Sequence, residues 1–138
     1  MIGDRVLAEA RALLGTPWRH LGRSETGIDC IGLVLVAAAR VGIVLPDPAP
    51  YTREPSGQTL RQGMASVLDH VPLAEVEPGD VLVMNLGLYA GHVGLYAVHP
   101  TYGAPAVVHA YLPRKRVVEE LLEQHRAAVT GAFRFREG

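Results

Sequence analysis

Two periodicities divide the chain, a helical one first and a strand-like one second. From Ile2 to Leu14, the apolar positions Val6, Ala10, Leu13 and Leu14 fall on one face between charged residues, which predicts an amphipathic helix stopped at Gly15. Thr16-Pro17-Trp18 is an extended entry, because the residue before proline is pushed out of the α region. Arg19 to Gly27 is a polar, glycine-bearing loop. A second helix begins near Cys30, runs to about Val41 and ends at Gly42. It is apolar on most sides and carries Gly32, Ala37, Ala38 and Ala39, a pattern suited to deep burial against a close neighbour. Leu45 to Gly57, with Pro46, Pro48, Pro50 and Pro55, is an irregular crossing. Gln58 to Leu68 is a more modest helix candidate.

After Glu77-Pro78-Gly79-Asp80, where proline presets φ and glycine accepts a positive one, the period drops to two. Strands are predicted over Val81 to Met84, His92 to Val98, Ala106 to Leu112 and Gly131 to Arg136. In the second of these, Val93, Leu95 and Ala97 alternate with His92, Gly94, Tyr96 and Val98; in the last, Phe133 and Phe135 share a face. Arg116 to Glu119 adds a short strand, and Leu121 to Val129 a final helical piece. Helices first and antiparallel strands second predict an α+β fold. The chain of 138 residues shows no internal repeat, low-complexity stretch or linker, so residues 1–138 are expected to form a single domain.

Composition narrows the partners. A formal net charge of −1 gives no electrostatic reason to expect nucleic acid or an anionic membrane. One cysteine excludes an internal disulfide. The longest apolar run, Ile31 to Ala39, falls far short of the roughly 20 residues of a membrane span. Asp4, Arg5, Glu9 and Arg11 interrupt the first segment, so no signal peptide is expected. The expectation is a soluble protein made in the cytoplasm, with any export by another route.

The chemistry centres on Gly27-Ile28-Asp29-Cys30-Ile31-Gly32-Leu33-Val34. Asp29 is placed to cap the second helix, which puts Cys30 in its first turn, where the helix dipole favours a thiolate. A cysteine nucleophile then needs a histidine from elsewhere in the fold. Of six histidines, only His92 and His109 fall in predicted strands. Adjacent antiparallel strands bring direct partners to about 4.5–5.5 Å, so a register pairing His92 with His109 is available. Each piece also has a plainer explanation. Cys30 fits an inert small hydrophobe, each histidine a satisfied half-buried residue, and Asp29 a helix cap alone.

Taken in order, several segments resemble the NlpC/P60 cysteine peptidases, papain-like enzymes that cut bacterial cell-wall peptides. Leu13 to Trp18 resembles the family's entry segment, and Gly27 to Val34 its nucleophile segment. Glu77 to Leu82 resembles the turn into its sheet, Gly91 to Tyr96 its base segment, and Val107 to Ala110 the segment bearing its third polar residue. The resemblance implies a papain-like fold with the nucleophile at a helix N-terminus packed on a central antiparallel sheet. It implies catalytic roles for Cys30 as nucleophile, His92 as base and His109 as orienting residue. Asp29 matches the aspartate that helps recognise the substrate's free amine, and Trp18 stands where the family often has a substrate-binding tyrosine. The implied substrate is a peptidoglycan stem peptide, cut between D-γ-glutamyl and diaminopimelate (or lysine), with no cofactor or metal. Ile31 in place of serine, Trp18 in place of tyrosine, and Arg19-His20-Leu21 before Gly22 bring the chain closer to the phage-tail and gene-transfer-agent branch. That implies tail proteins as partners and delivery to the wall on a tail. Three alternatives stay open: a non-catalytic structural component of a phage-like tail, a zinc-dependent hydrolase holding its metal with Cys30, His92 and His109, and an enzyme of the same fold that moves the acyl group to an acceptor other than water.

Overall fold

Three helices precede most of the strands. They are α1 (Ile2–Ala12), α2 (Cys30–Arg40) and α3 (Gly57–Val67). The computed structural model describes residues 1–52, 57–86 and 89–137, and at 57–59 and 89–90 the backbone alone. Residues 53–56 of the expected proline-rich crossing, Pro55 included, therefore lie outside the described residues. Among the described residues, no helix is long and apolar enough to cross a membrane.

Between α1 and α2 the chain forms a small hairpin of β1 (Arg23–Ser24) and β2 (Gly27–Ile28). The remaining strands are β3 (Asp69–His70), β4 (Val81–Leu86), β5 (Tyr89–Val98), β6 (Pro105–Tyr111), β7 (Arg116–Leu121) and β8 (Val129–Arg134). They form one sheet in the order β3-β8-β4-β5-β6-β7, with every pairing antiparallel. The α+β class predicted from the change of period is the one observed.

Both faces of this sheet are covered. On the helix side, Val6, Ala10, Leu33 and Val34 pack with Val81, Val83, Val93, Leu95 and Val108. On the other side, Val71, Leu82, Met84, Val107, Leu122 and Ala132 form a second core. This is why Val81 to Met84 reads as an unbroken apolar run rather than an alternation: all four are buried. Phe133 and Phe135 both join the helix-side core, as their shared face predicted.

Several details differ from the expectation, the bounds of β4 to β8 among them, by one to three residues. α1 ends at Ala12 with Leu13 as its cap, two residues before the predicted end. The β1–β2 hairpin lies in what read as plain loop, and β3 was not predicted; at two residues each, neither shows a measurable alternation. The last helical piece is a 3-10 helix, Leu122–Ala128, with Leu122 buried in the second core. α2 shows why small residues were needed: a Cβ at Gly32 would run into the Gly22 carbonyl and lie 2.9 Å from Arg23 Nη1. Glycine there lets the preceding loop lie directly on the first turn of α2.

Candidate active site

The N-terminus of α2 is built as predicted. Asp29 Oδ1 accepts the Gly32 N–H at 2.8 Å, which caps the helix and fixes Cys30 as its first residue. Cys30 is half-buried, and its sulfur meets the backbone N–H of Val93, the residue after His92 on β5. Its charge state differs from the expectation. Burial pushes the thiol from 9.0 up to about 12, and the neighbouring Asp29 carboxylate pushes the same way. The amides of Val93, Ile31 and Cys30 pull it down without compensating. The resting side chain is a thiol, because removal from water and an adjacent anion outweigh the helix start.

His92 and His109 are joined by a hydrogen bond, Nε2 to Nδ1, at 2.8 Å. They are not direct cross-strand partners as expected. The β5–β6 register pairs Leu95 with Val108, and one step further sets Gly94 against His109. His92 reaches His109 diagonally, over the space that Gly94 leaves without a side chain. A Cβ at Gly94 would lie 2.6 Å from Val107 Cγ2 and 3.0 Å from His109 Cβ. The same step is repeated across the next pair of strands. His109 is opposite Val118, and Glu120, opposite Val107, reaches His109 Nε2 with Oε1 at 2.9 Å.

This chain of contacts determines both imidazole tautomers. The His109 and Arg114 hydrogen bonds hold the Glu120 carboxyl down at about 2, so it is ionised and can only accept. His109 Nε2 must therefore carry a proton and donate it toward Glu120. Nδ1 of His109 is then the acceptor, and His92 Nε2 donates to it. The lone pair of His92 falls on Nδ1, the nitrogen not used by His109. Burial lowers both histidines, with His109 and His125 pushing His92 the same way, so both rings rest neutral. Arg114 Nε holds Glu120 Oε2 at 2.9 Å, and His125 Nε2 stands behind the chain at 3.3 Å from Oε1.

Glu120 was not predicted from the sequence. The short strand expected there stops at Glu119, one residue before it. A carboxylate continuing a strand next to the His109 strand was the available signal.

Asp29 does more than cap. It is buried, and besides Gly32 it accepts Arg23 Nη1 at 2.9 Å, the Leu21 N–H at 2.9 Å and the Tyr51 hydroxyl at 2.6 Å. Four internal donors thus converge on its two oxygens. Trp18 is half-buried and bridges to Ile28, one residue before Asp29, with its ring stacked on His20 at 6.5 Å. The structure brings it beside the nucleophile turn.

The zinc set considered from the sequence is not the one the fold gathers. His92 Nε2 and His109 Nδ1 are spent on each other. Among the described residues, the group able to hold a metal ion is His109, Glu120 and His125, without Cys30 or His92.

Residues 15–131 match the NlpC/P60 family. The chain belongs to that family. Over 113 residues it is 35% identical to a probable endopeptidase of Mycobacterium tuberculosis, an alignment covering 77% of this chain and 26% of that protein. Over 123 residues it is 29% identical to the dipeptidyl-peptidase 6 of Lysinibacillus sphaericus, covering 88% of this chain and 38% of that one. The chain thus spans well under half the length of these relatives. In structure it is similar to the NlpC/P60 domain of the peptidoglycan hydrolase SagA, with a TM-score of 0.68 at 21% identity over 96% of this chain and 98% of the other. NlpC2 of Trichomonas vaginalis gives a TM-score of 0.74 at 17% identity, over 97% of this chain and 47% of the other. The fold of this NlpC/P60 chain is the papain-like α+β arrangement, with the cysteine at the head of a helix laid on an antiparallel sheet.

Proposed function

We propose that this NlpC/P60 chain, folding as one domain over residues 1–138, is a thiol peptidase that hydrolyses a peptide bond in bacterial peptidoglycan stem peptides, of the D-γ-glutamyl-diaminopimelate type. The observation that carries this reading is the Glu120–His109–His92 chain. It presents a basic nitrogen on the strand that abuts the Cys30 sulfur. The endopeptidase relatives and the peptidoglycan-hydrolase structural neighbour support the substrate class.

In the reaction, His92 Nδ1 takes the Cys30 proton as the sulfur attacks the scissile carbonyl. The imidazolium so formed is steadied through His109 by the Glu120 carboxylate. The Cys30 backbone N–H, at the open end of α2, donates to the developing oxyanion. His92 returns the proton to the leaving amine, leaving an acyl-enzyme. It then activates the water that frees the acid and regenerates the thiol. No cofactor takes part. Trp18 forms a wall of the substrate site, and Asp29 acts on the substrate through the Arg23 and Tyr51 groups it holds. Delivery to the wall on a phage-like tail is proposed from the residues at Trp18, Arg19 to Leu21 and Ile31, and co-purification with tail proteins tests it.

The direct test is cleavage of a synthetic stem peptide by the parent chain and by Cys30→Ala and His92→Ala. Loss of cleavage in both variants, with unchanged circular dichroism, is the expected result. Full activity in either one overturns the mechanism.

A further inference from the structure

Behind the proposed base lies a group of side chains that the hydrolytic reaction does not use as a unit. We propose that His109 Nε2, Glu120 Oε1 and His125 Nε2 form a binding site for a divalent transition-metal ion of the zinc type, and that its occupation switches the peptidase off. The three ligand atoms lie within 4.8 Å of one another. Two of the three separations, 2.9 Å and 3.3 Å, are already near the roughly 3.4 Å edge of a tetrahedron drawn at zinc–nitrogen and zinc–oxygen distances of about 2.0–2.2 Å. Two imidazoles and a carboxylate leave a fourth position for water, a donor set suited to zinc rather than to magnesium or calcium.

The cluster is also held in place. His109 is fully buried, and the Glu120 and His125 side chains are only 10% and 11% exposed. Tyr111 stacks flat on His109 at 4.7 Å and meets His125 edge-on at 5.3 Å, so one phenol ring orients both imidazoles. Arg114 engages Oε2 only, leaving Oε1 to the two histidines, and its half-exposed guanidinium is screened by water. Neutral His109 and ionised Glu120 are the forms that bind a metal.

The inhibitory consequence follows from where the protons go. A metal on His109 Nε2 and His125 Nε2 requires a lone pair on each, so each of these rings carries its proton on Nδ1 instead. His109 Nδ1 then donates to His92 Nε2, which must become the acceptor, and the His92 proton moves to its own Nδ1. Each ring keeps one proton, and none is released from the pair. His92 Nδ1, now protonated, cannot accept from Cys30. This consequence rests on the peptidase reading; the binding does not.

The test separates the two. Zinc binding is measured by calorimetry on the Cys30→Ser, His125→Ala and His125→Asn chains, with cobalt(II) as a spectroscopic reporter. The expected result is one ion per chain in Cys30→Ser, cobalt bands without sulfur-to-metal charge transfer in the parent, and at least tenfold weaker binding in both His125 variants. Measured against their own zinc-free rates, those variants should need at least tenfold more zinc than the parent for half-inhibition. Binding lost in Cys30→Ser, or unchanged in both His125 variants, overturns the site. Binding without inhibition, or equal inhibition of parent and His125 variants, overturns the switch. If the parent cleaves no stem peptide, the peptidase reading fails while the binding arm still decides the site.

Discussion

His92 and His109 are hydrogen-bonded at 2.8 Å although neither stands opposite the other in the sheet. The diagonal step is available only because the residue facing His109 is Gly94. The reactive nitrogen of His92 is therefore set by three strands acting together: β5 supplies the base, β6 the relay and β7 the carboxylate.

Glu120→Gln should lower kcat on the order of 10²-fold with little change in KM, at the low end of what general acid–base catalysis contributes. An amide can donate as well as accept, so His109 is no longer held in one tautomer, and the imidazolium loses its counter-charge. Steady-state kinetics on a stem peptide provides the check. A KM rise with kcat intact would place Glu120 in substrate binding instead.

Gly94→Ala should damage stability and activity together. Its methyl would lie 2.6 Å from Val107 Cγ2 and 3.0 Å from His109 Cβ, both on the neighbouring strand β6, which is already packed. Overpacking of this kind costs about 1–3 kcal/mol. Chemical denaturation measures the loss, and an unaltered midpoint with full turnover would show that His109 does not need that space.

Cys30 should titrate late. With the thiol pushed up to about 12, alkylation by iodoacetamide in the absence of substrate should keep accelerating as the pH rises past 9.0. A thiolate of pKa about 3.5–7.5 would instead give a plateau near neutrality. Such a plateau would mean that the resting enzyme holds a thiolate–imidazolium pair.

Acid should loosen the Glu120 cluster. The folded carboxyl lies at about 2 against 4.5 ordinarily, so the native state binds its proton more weakly than the unfolded chain does. Its contribution to stability is complete above the unfolded value and is lost as the pH falls from there through the folded one. Denaturation midpoints from pH 5 downward should decline less steeply in Glu120→Gln than in the parent, by about one proton's linkage.

Asp29→Ala should act first through the fold. It strips partners from Gly32, Leu21, Arg23 and Tyr51 at once, and leaves Arg23 with Asp47 alone as a carboxylate partner. Removing one side of a buried ion pair costs about 3–5 kcal/mol. Thermal unfolding tests this, and a fully stable variant with a raised KM would assign Asp29 to the substrate alone.

The sequence by itself determined the order and kind of the main elements, the cap at Asp29, the cysteine at the head of α2 and the two strand histidines. All of these are local: they depend on periodicity, capping chemistry and the residues next in line. Only the tertiary structure decided which atoms meet. A strand's period shows which residues share a face but leaves the neighbour's register free, so His92 and His109 read as direct partners when Gly94 in fact stands between them. The same freedom hid Glu120, which lies 11 residues beyond His109 in sequence but one hydrogen bond away in space. The charge on Cys30 was equally out of reach, because burial against β5 and the carboxylate beside it exist only once the chain has folded.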